Sequence, residues 1–285
     1  MASGVEHTGE HEVFDEIWAK TRLFYNDGDV KTCRSFAELW ENVKFQRIDH
    51  FFPHAPRKSL EVGCGSGGVS LHLHNQYAYQ VTLTDLSDTA LAFARRNFEL
   101  NARRPGWPAS ARFEKADALG LPYPDESFDV VMSFGLLEHF SDIEKPIAEQ
   151  LRVLKKGGLF WADVVTARFS VDSFARLPAS LRKAAKALVR ADFRALAAAK
   201  DADFFENSYP LSQYVASVEK FGGKVTHALG NRPVTSLGRI PLLAPAMLAL
   251  YKSALVQHLW RSFDSSNSAF SKWWGAGWWL IAEKE

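Results

Sequence analysis

The sequence predicts an α/β fold in which a mostly parallel sheet is covered by helices on both faces. Three observations predict it. Short continuous apolar runs alternate with amphipathic stretches from residue 58 onward; the first run feeds a glycine-rich turn that opens a helix; and the composition, 47% hydrophobic and 24% charged, is that of a packed globular chain. Strands buried between two helical layers read as unbroken apolar runs, whereas strands with one wet face alternate.

The elements follow in order. Ser59-Leu60-Glu61-Val62 is the first strand, and Val69-Ser70-Leu71-His72-Leu73-His74 has helical spacing after the glycine turn. Gln80-Val81-Thr82-Leu83-Thr84 is the second strand, and a helix is expected over 88–101 with Asp88 as its N-cap. Phe113 centres a third strand ending near Asp117, and 128–133 is a fourth. A helix over 143–154 is expected to stop at Gly157-Gly158, before a fifth strand over 159–165. A helix over 211–221, a sixth strand over 224–229 and a seventh over 277–283 complete the pattern.

Three stretches break this rhythm: 1 to about 56, about 167–207 and about 231–270. Loops that follow parallel strands leave from the carboxyl edge, where ligands sit in such sheets. If the sixth strand is parallel to the first five, both internal insertions emerge on that edge and are placed to form a lid.

Composition excludes several classes of function. With 34 Lys+Arg against 33 Asp+Glu the net charge is +1, too balanced for a protein whose main partner is nucleic acid. Two cysteines, Cys33 and Cys64, make no disulfide framework and fit a reducing compartment, and the polar start to residue 12 lacks a signal-peptide core, so a cytoplasmic location is expected. The apolar run over 240–260 is interrupted by Pro241, Pro245, Lys252, Gln257 and His258; it reads as a poor membrane span, with interfacial contact left open. The scattered histidines form no metal-ligand cluster, and no metal is expected.

The sharpest segment is Leu60-Glu61-Val62-Gly63-Cys64-Gly65-Ser66-Gly67-Gly68, a strand entering a glycine turn and a helix. Such a turn brings backbone amides and the helix N-terminus against a ligand without side-chain clash. Strand two ends at Asp85, about 20 residues past the first glycine, where a carboxylate reaches ribose hydroxyls in doubly wound folds. Capping of the turn at Ser87 is the structural alternative for Asp85. Gly63, Gly65 and Gly68 also satisfy the dinucleotide pattern, so an NAD(P)-dependent oxidoreductase stands as a rival, as does a noncatalytic scaffold that keeps the cofactor pocket.

Further motifs follow in one order: Thr84-Asp85-Leu86-Ser87, Lys115-Ala116-Asp117-Ala118, Leu121-Pro122-Tyr123-Pro124-Asp125-Glu126-Ser127-Phe128-Asp129, Leu137-Glu138-His139-Phe140, and Leu151-Arg152-Val153-Leu154-Lys155-Lys156-Gly157-Gly158. Together with the acidic-x-Gly-x-Gly-x-Gly turn, this set resembles the class I S-adenosylmethionine-dependent methyltransferases, in particular their small-molecule, type 11-like branch, over about residues 60–162. The resemblance implies a doubly wound seven-stranded sheet in the order 3-2-1-4-5-7-6 with the last strand antiparallel. It also implies S-adenosyl-L-methionine as cofactor, leaving as S-adenosyl-L-homocysteine. Within it, Gly63, Cys64 and Gly65 would face the methionine part; Asp85 would hold both ribose hydroxyls; Asp117 with Ala118 would border the adenine; Ser133 and Phe134 would line the methionine side; and Gly67 and Leu86 would also belong to the cofactor site. Glu61 would orient the cofactor ammonium or fix the loop through a backbone amide.

Methyl transfer needs alignment more than covalent chemistry, plus a base where the acceptor loses a proton. His139, just after strand four, is the first candidate base and Asp163 on strand five the second; each also reads as a capping or packing group. The acceptor is expected to be a small molecule, partly apolar or aromatic, with an oxygen or nitrogen nucleophile. No Asn-Pro-Pro-aromatic segment follows strand four, where Ser133-Phe134-Gly135-Leu136 stands, which disfavours base amines of nucleic acid.

The insertions are less specific. Arg182, Lys186, Arg190 and Arg194 make a basic stripe at four-residue spacing, a solvated face or an attractor of an anionic acceptor or lipid surface. Met247, Leu248, Tyr251, Leu255 and Leu259 make an apolar helical face for packing, an acceptor channel or interfacial contact. Trp273-Trp274 and Trp278-Trp279 bracket Gly275-Ala276-Gly277, and only one of each pair can point to a given side if both pairs are in strand. Trp18, Phe24, Tyr25, Phe36 and Trp40 fall in an N-terminal segment, residues 1–56, read as a helical arm, which the resemblance implies folds over the active site of a domain spanning 57–285. Tyr25 is a candidate substrate contact.

Overall fold

Seven strands form one sheet in the order β3-β2-β1-β4-β5-β7-β6 in a computed structural model that describes residues 10–22, 25–173, 205–234 and 243–285. The strands are β1 (Lys58–Val62), β2 (Gln80–Asp85), β3 (Ala111–Lys115), β4 (Phe128–Phe134), β5 (Leu154–Val164), β6 (Gly223–Asn231) and β7 (Gly277–Lys284). The first five pair in parallel, and β7 is antiparallel to both β5 and β6, so β6 runs with the first five. The segments that follow β5 and β6 therefore leave from the same edge as the β1 turn. The basic stripe Arg182, Lys186, Arg190 and Arg194, and Phe24, lie outside the described residues.

The helices among the described residues are α1 (Glu10–Lys20), α2 (Phe36–Phe51), α3 (Gly68–Tyr77), α4 (Asp88–Asn101), α5 (Trp107–Ser110), α6 (Glu144–Val153), α7 (Leu211–Lys220), α8 (Ala244–Tyr251), α9 (Ala254–Asp264) and α10 (Ala269–Trp274). Strand alternation sorts the core into two layers. On one face Val131, Phe160, Ala162, Trp278 and Leu280 pack with Ile147 and Leu151 of α6 and Tyr214 and Val218 of α7. On the other, Val130, Met132, Trp161, Trp279 and Ile281 pack with Phe45 and Ile48 of α2, Leu71 of α3 and Phe98 of α4. A third cluster joins Phe36, Leu39 and Val43 of α2 to Tyr251 and Trp260.

Several expectations are corrected. The cap of α4 is Ser87, whose hydroxyl accepts from Ala90 N at 2.9 Å; Asp88 is already inside the helix. Helix α6 does not stop at Gly157-Gly158 but runs directly into β5 at Leu154, and the glycines lie within that strand opposite a register shift between Phe128 and Val130. A Cβ at Gly158 would approach Lys155 O to 2.7 Å, so the irregular strand needs glycine there. Trp273 and Trp274 are helical, while Trp278 and Trp279 are both buried, on opposite faces of the sheet. The apolar face over Met247–Leu259 is broken at Lys252-Ser253: Met247, Leu248 and Tyr251 pack on α2, and Leu255 and Leu259 point to solvent.

Candidate active site

The β1–α3 turn is held by its own backbone. Cys64 N donates to Thr84 O at 2.9 Å and Gly67 N to Cys64 O at 2.8 Å, locking the turn to the end of β2. Gly67 takes a left-handed conformation as the N-cap of α3, with φ 63°, and a Cβ there would meet Leu83 Cδ2 at 2.6 Å. Asn97 of α4, fully buried, donates to Ser66 O at 3.0 Å and fixes the far side of the turn.

Beside this turn opens a cavity of about 280 Å³, close to the lower end of small-molecule sites. The turn supplies Gly63, Cys64 and Gly65; β1 and β2 supply Glu61 and Asp85, followed by Leu86. The β3 exit supplies Ala116 and Ala118, and the end of β4 with its following turn supplies Phe134, Leu136 and His139. Two further groups come from elements that the motifs did not mark. Phe14 and Trp18 of α1 close one side, and Glu41 and Lys44 of α2 enter as a buried pair 2.6 Å apart.

The polar groups are poised differently. Asp85 Oδ2 accepts from Gly65 N and Oδ1 from Ser87 N, both at 3.0 Å, so the capping role and a place in the cavity coexist in one carboxylate. Burial pushes its carboxyl upward despite these amides. Glu61 Oε2 accepts from Ser70 N at 3.1 Å, which ties the strand to the first turn of α3; burial pushes this acid up to about 7, against the pull of that hydrogen bond and of Lys44. Lys44 lies 5.3 Å from the Phe134 ring centroid. Burial and nearby acids raise the Cys64 thiol well above its ordinary value, so it packs as a small neutral group.

His139 sits in the short 3₁₀ turn Leu137–His139, with Nδ1 2.8 Å from Phe205 O. A carbonyl only accepts, so Nδ1 carries the proton and the lone pair of the neutral ring belongs to Nε2. The ring meets Phe14 edge-on, centroids 5.2 Å apart. Helix α1 is further fixed by a hydrogen bond from Ser87 Oγ to Asp15 Oδ1 and by Trp18 against Phe93 at 5.3 Å.

Other sequence candidates stand back from the cavity. Asp163 is buried and accepts from Asn231 Nδ2 at 2.8 Å, joining β5 to β6. Asp117 accepts from Leu119 N at 2.8 Å, leaving its neighbours Ala116 and Ala118 to face the space. Ser133 is buried within β4, and Gly67 shapes the turn from behind. Tyr25 is directed to Asp27 and Asn75 and meets the Phe45 ring at a tilt of 48°, because the loop after α1 folds onto α3.

The residues present fit an adenosyl sulfonium amino acid. Asp85 retains acceptor lone pairs for vicinal hydroxyls, the alanines and Leu86 offer a flat apolar wall, and Glu61 with the Glu41–Lys44 pair offers both charges a zwitterion needs.

Comparison with known proteins agrees with this reading. Residues 60–162 match the family model of the methyltransferase domain. Ajmaline N-methyltransferase of Rauvolfia serpentina is 38% identical over 102 residues, 36% of this chain and 34% of that protein. Among solved structures, the cyclase SpnF superposes with a TM-score of 0.59 at 18% identity, over 96% of this chain and 94% of the other. Geranyl diphosphate C-methyltransferase of Streptomyces coelicolor, in complex with S-adenosyl-L-homocysteine, does so at 0.55 and 13% identity, over 98% and 100%. The structural likenesses concern the fold alone. The match to a methyltransferase domain over residues 60–162 takes in the glycine turn, Asp85 and His139, which line the cavity. The chain spans only about a third to a half of the length of the curated relatives it matches, 34% to 48% for the first four.

Proposed function

We propose that the protein transfers a methyl group from S-adenosylmethionine to a small, partly apolar or aromatic acceptor through an oxygen or nitrogen nucleophile. The observation that carries this is the cavity itself: Glu61 and Asp85 line it together with Phe14, Trp18, Phe134 and Phe140, beside the glycine turn. The cofactor, when bound, supplies an electrophilic methyl on its sulfonium. Asp85 and Leu86 hold the ribose, Ala116 and Ala118 border the adenine, and Glu61 with Gly63, Cys64 and Gly65 holds the methionine end. Gly67, Asp117 and Ser133 support these positions from behind the lining.

Phe14 and Trp18 exclude water from the reacting space, which strengthens the electrostatics inside it. His139 takes the acceptor proton on Nε2 while Phe205 O keeps the ring oriented through Nδ1. In this reading residues 1–56 are an arm over the site, 57–285 form the catalytic domain, and the insertions after β5 and β6 choose the acceptor. Calorimetric titration with S-adenosylmethionine, S-adenosylhomocysteine and NAD tests it. Binding of both adenosyl compounds, lost in Asp85→Ala, supports the reading, and binding of NAD alone overturns it.

A further inference from the structure

Helix α9 is built inside out. It buries Gln257 (3% exposed) and Asp264 (0%) beside Trp260, while Leu255 and Leu259 stand 68% and 57% exposed. Its polar groups are anchored inward: Gln257 Nε2 donates to Tyr251 O at 2.7 Å, and Asp264 Oδ1 accepts from Arg232 N at 3.0 Å. The helix's orientation is therefore set by these bonds and by Trp260, and the leucines contribute nothing to the core by facing water.

The four-residue spacing of Leu255, Leu259 and Phe263 continues into the aromatics of α10. Phe263 meets Phe270 at 6.1 Å between centroids, and Phe270 meets Trp273 at 6.3 Å. Phe270 and Trp273 are 59% and 53% exposed, so the ridge ends in two open rings.

Within the ridge segment itself the solvent-facing charge has one sign, while Lys252 also donates to Cys33 O at 2.9 Å. From Leu243 to Gly275 the chain carries Lys252, Arg261 and Lys272, and its one acid, Asp264, is completely buried. Arg168 adds a guanidinium at the end of α10, donating to Trp273 O at 2.7 Å and to Gly275 O. A second copy of the chain would bring the same cations against themselves. An anionic bilayer matches all three features, with leucines at the acyl boundary, Trp and Phe rings at headgroup depth, and Lys and Arg on lipid phosphates.

We propose that the α9–α10 ridge docks the protein on an anionic membrane surface. The test is flotation of the full chain with vesicles of phosphatidylcholine alone or mixed with phosphatidylglycerol, with light scattering for the oligomeric state. The expected result is a monomer that floats with the mixed vesicles in a salt-sensitive way. Leu255→Glu with Leu259→Glu should abolish flotation, and Arg261→Ala with Lys272→Ala should weaken it roughly tenfold or more. Both pairs should keep the wild-type melting temperature and cofactor affinity, since Leu255, Leu259 and Arg261 are exposed, Lys272 is half-buried, and none of the four lines the cavity. No flotation with mixed vesicles, equal flotation of the leucine pair, or a wild-type dimer that Leu255→Glu dissociates would each overturn the proposal.

Discussion

The indole of Trp18 lies against the backbone of Gly65 so closely that a Cβ at residue 65 would overlap the ring. The arm helix and the glycine turn are thus fitted to one another, and Gly65 adopts a φ of 49° that also disfavours any side chain. Gly65→Ala should lower the melting temperature and weaken S-adenosylmethionine binding by at least about tenfold, since both clash and strain fall on the turn. Adding Trp18→Ala should recover part of the stability, because it removes the clash and leaves the strain. Thermal unfolding of the two variants separates them, and no recovery in the double variant would show that Trp18 does not rest on the turn.

Asp85 holds two backbone amides, so its removal acts on the empty protein as well as on the cofactor. Asp85→Ala should raise the dissociation constant for S-adenosylhomocysteine by more than about tenfold. Asp85→Asn keeps an acceptor oxygen and should lose less. Equal affinity of wild type and Asp85→Ala in calorimetry would remove Asp85 from the ribose.

Glu61 gives a pH dependence with a defined sign. Its acid is raised from 4.5 to about 7 in the folded protein, so between these values the folded state binds a proton that the unfolded chain has lost. Its contribution to stability therefore falls as pH rises from about 4.5 to 7. A cofactor ammonium held beside it favours the carboxylate, so cofactor affinity should rise with pH through about 7, and binding below 7 should release a proton. Calorimetry in buffers of different ionisation enthalpy reads that proton, and Glu61→Gln should abolish it.

His139→Ala should lower kcat by roughly 10²- to 10⁴-fold while leaving the affinity for S-adenosylhomocysteine within about twofold. His139 also meets Phe14 and Phe205 O, so the melting temperature should be measured alongside. A large loss of cofactor affinity with unchanged kcat would assign the residue to the roof of the cavity alone.

Trp279 is fully buried and touches both Trp161, at 5.4 Å between centroids, and Trp40 of α2, at 6.4 Å. Trp279→Ala should cost about 3–5 kcal/mol of unfolding free energy in denaturant titration.

The strand and helix order was legible because each element carries its own period: Val130-Val131-Met132 fills both faces of the sheet, and Leu60 and Glu61 already divide between core and cavity. Element edges were less legible where a neighbour decides. Ser87 rather than Asp88 caps α4 because Asp85 turns the chain one residue earlier, and β5 begins at Leu154 because Phe128 pairs with it. The glycine turn announced Gly63, Cys64, Gly65 and Asp85 through local spacing. Glu41 and Lys44 were hidden, since their partner surface is more than fifteen residues away in the chain. Their one local signal is position: a charged pair three apart among Leu39, Val43 and Phe45, on the face of α2 that turns inward. Asp163 differs the other way: a carboxylate on a strand end looks available in sequence, and the structure joins it to Asn231 of β6, outside the cavity lining.

Because β6 runs with β5, the two long excursions of the chain begin and end without altering any strand pairing. Lengthening such a loop is inexpensive: each doubling costs only about 0.6 kcal/mol of closure entropy. Residues 165–210 and 232–276 can therefore change in length at little cost to the sheet, whereas Phe205 O on His139 and Trp260 against α2 tie their described parts to the cavity and the core.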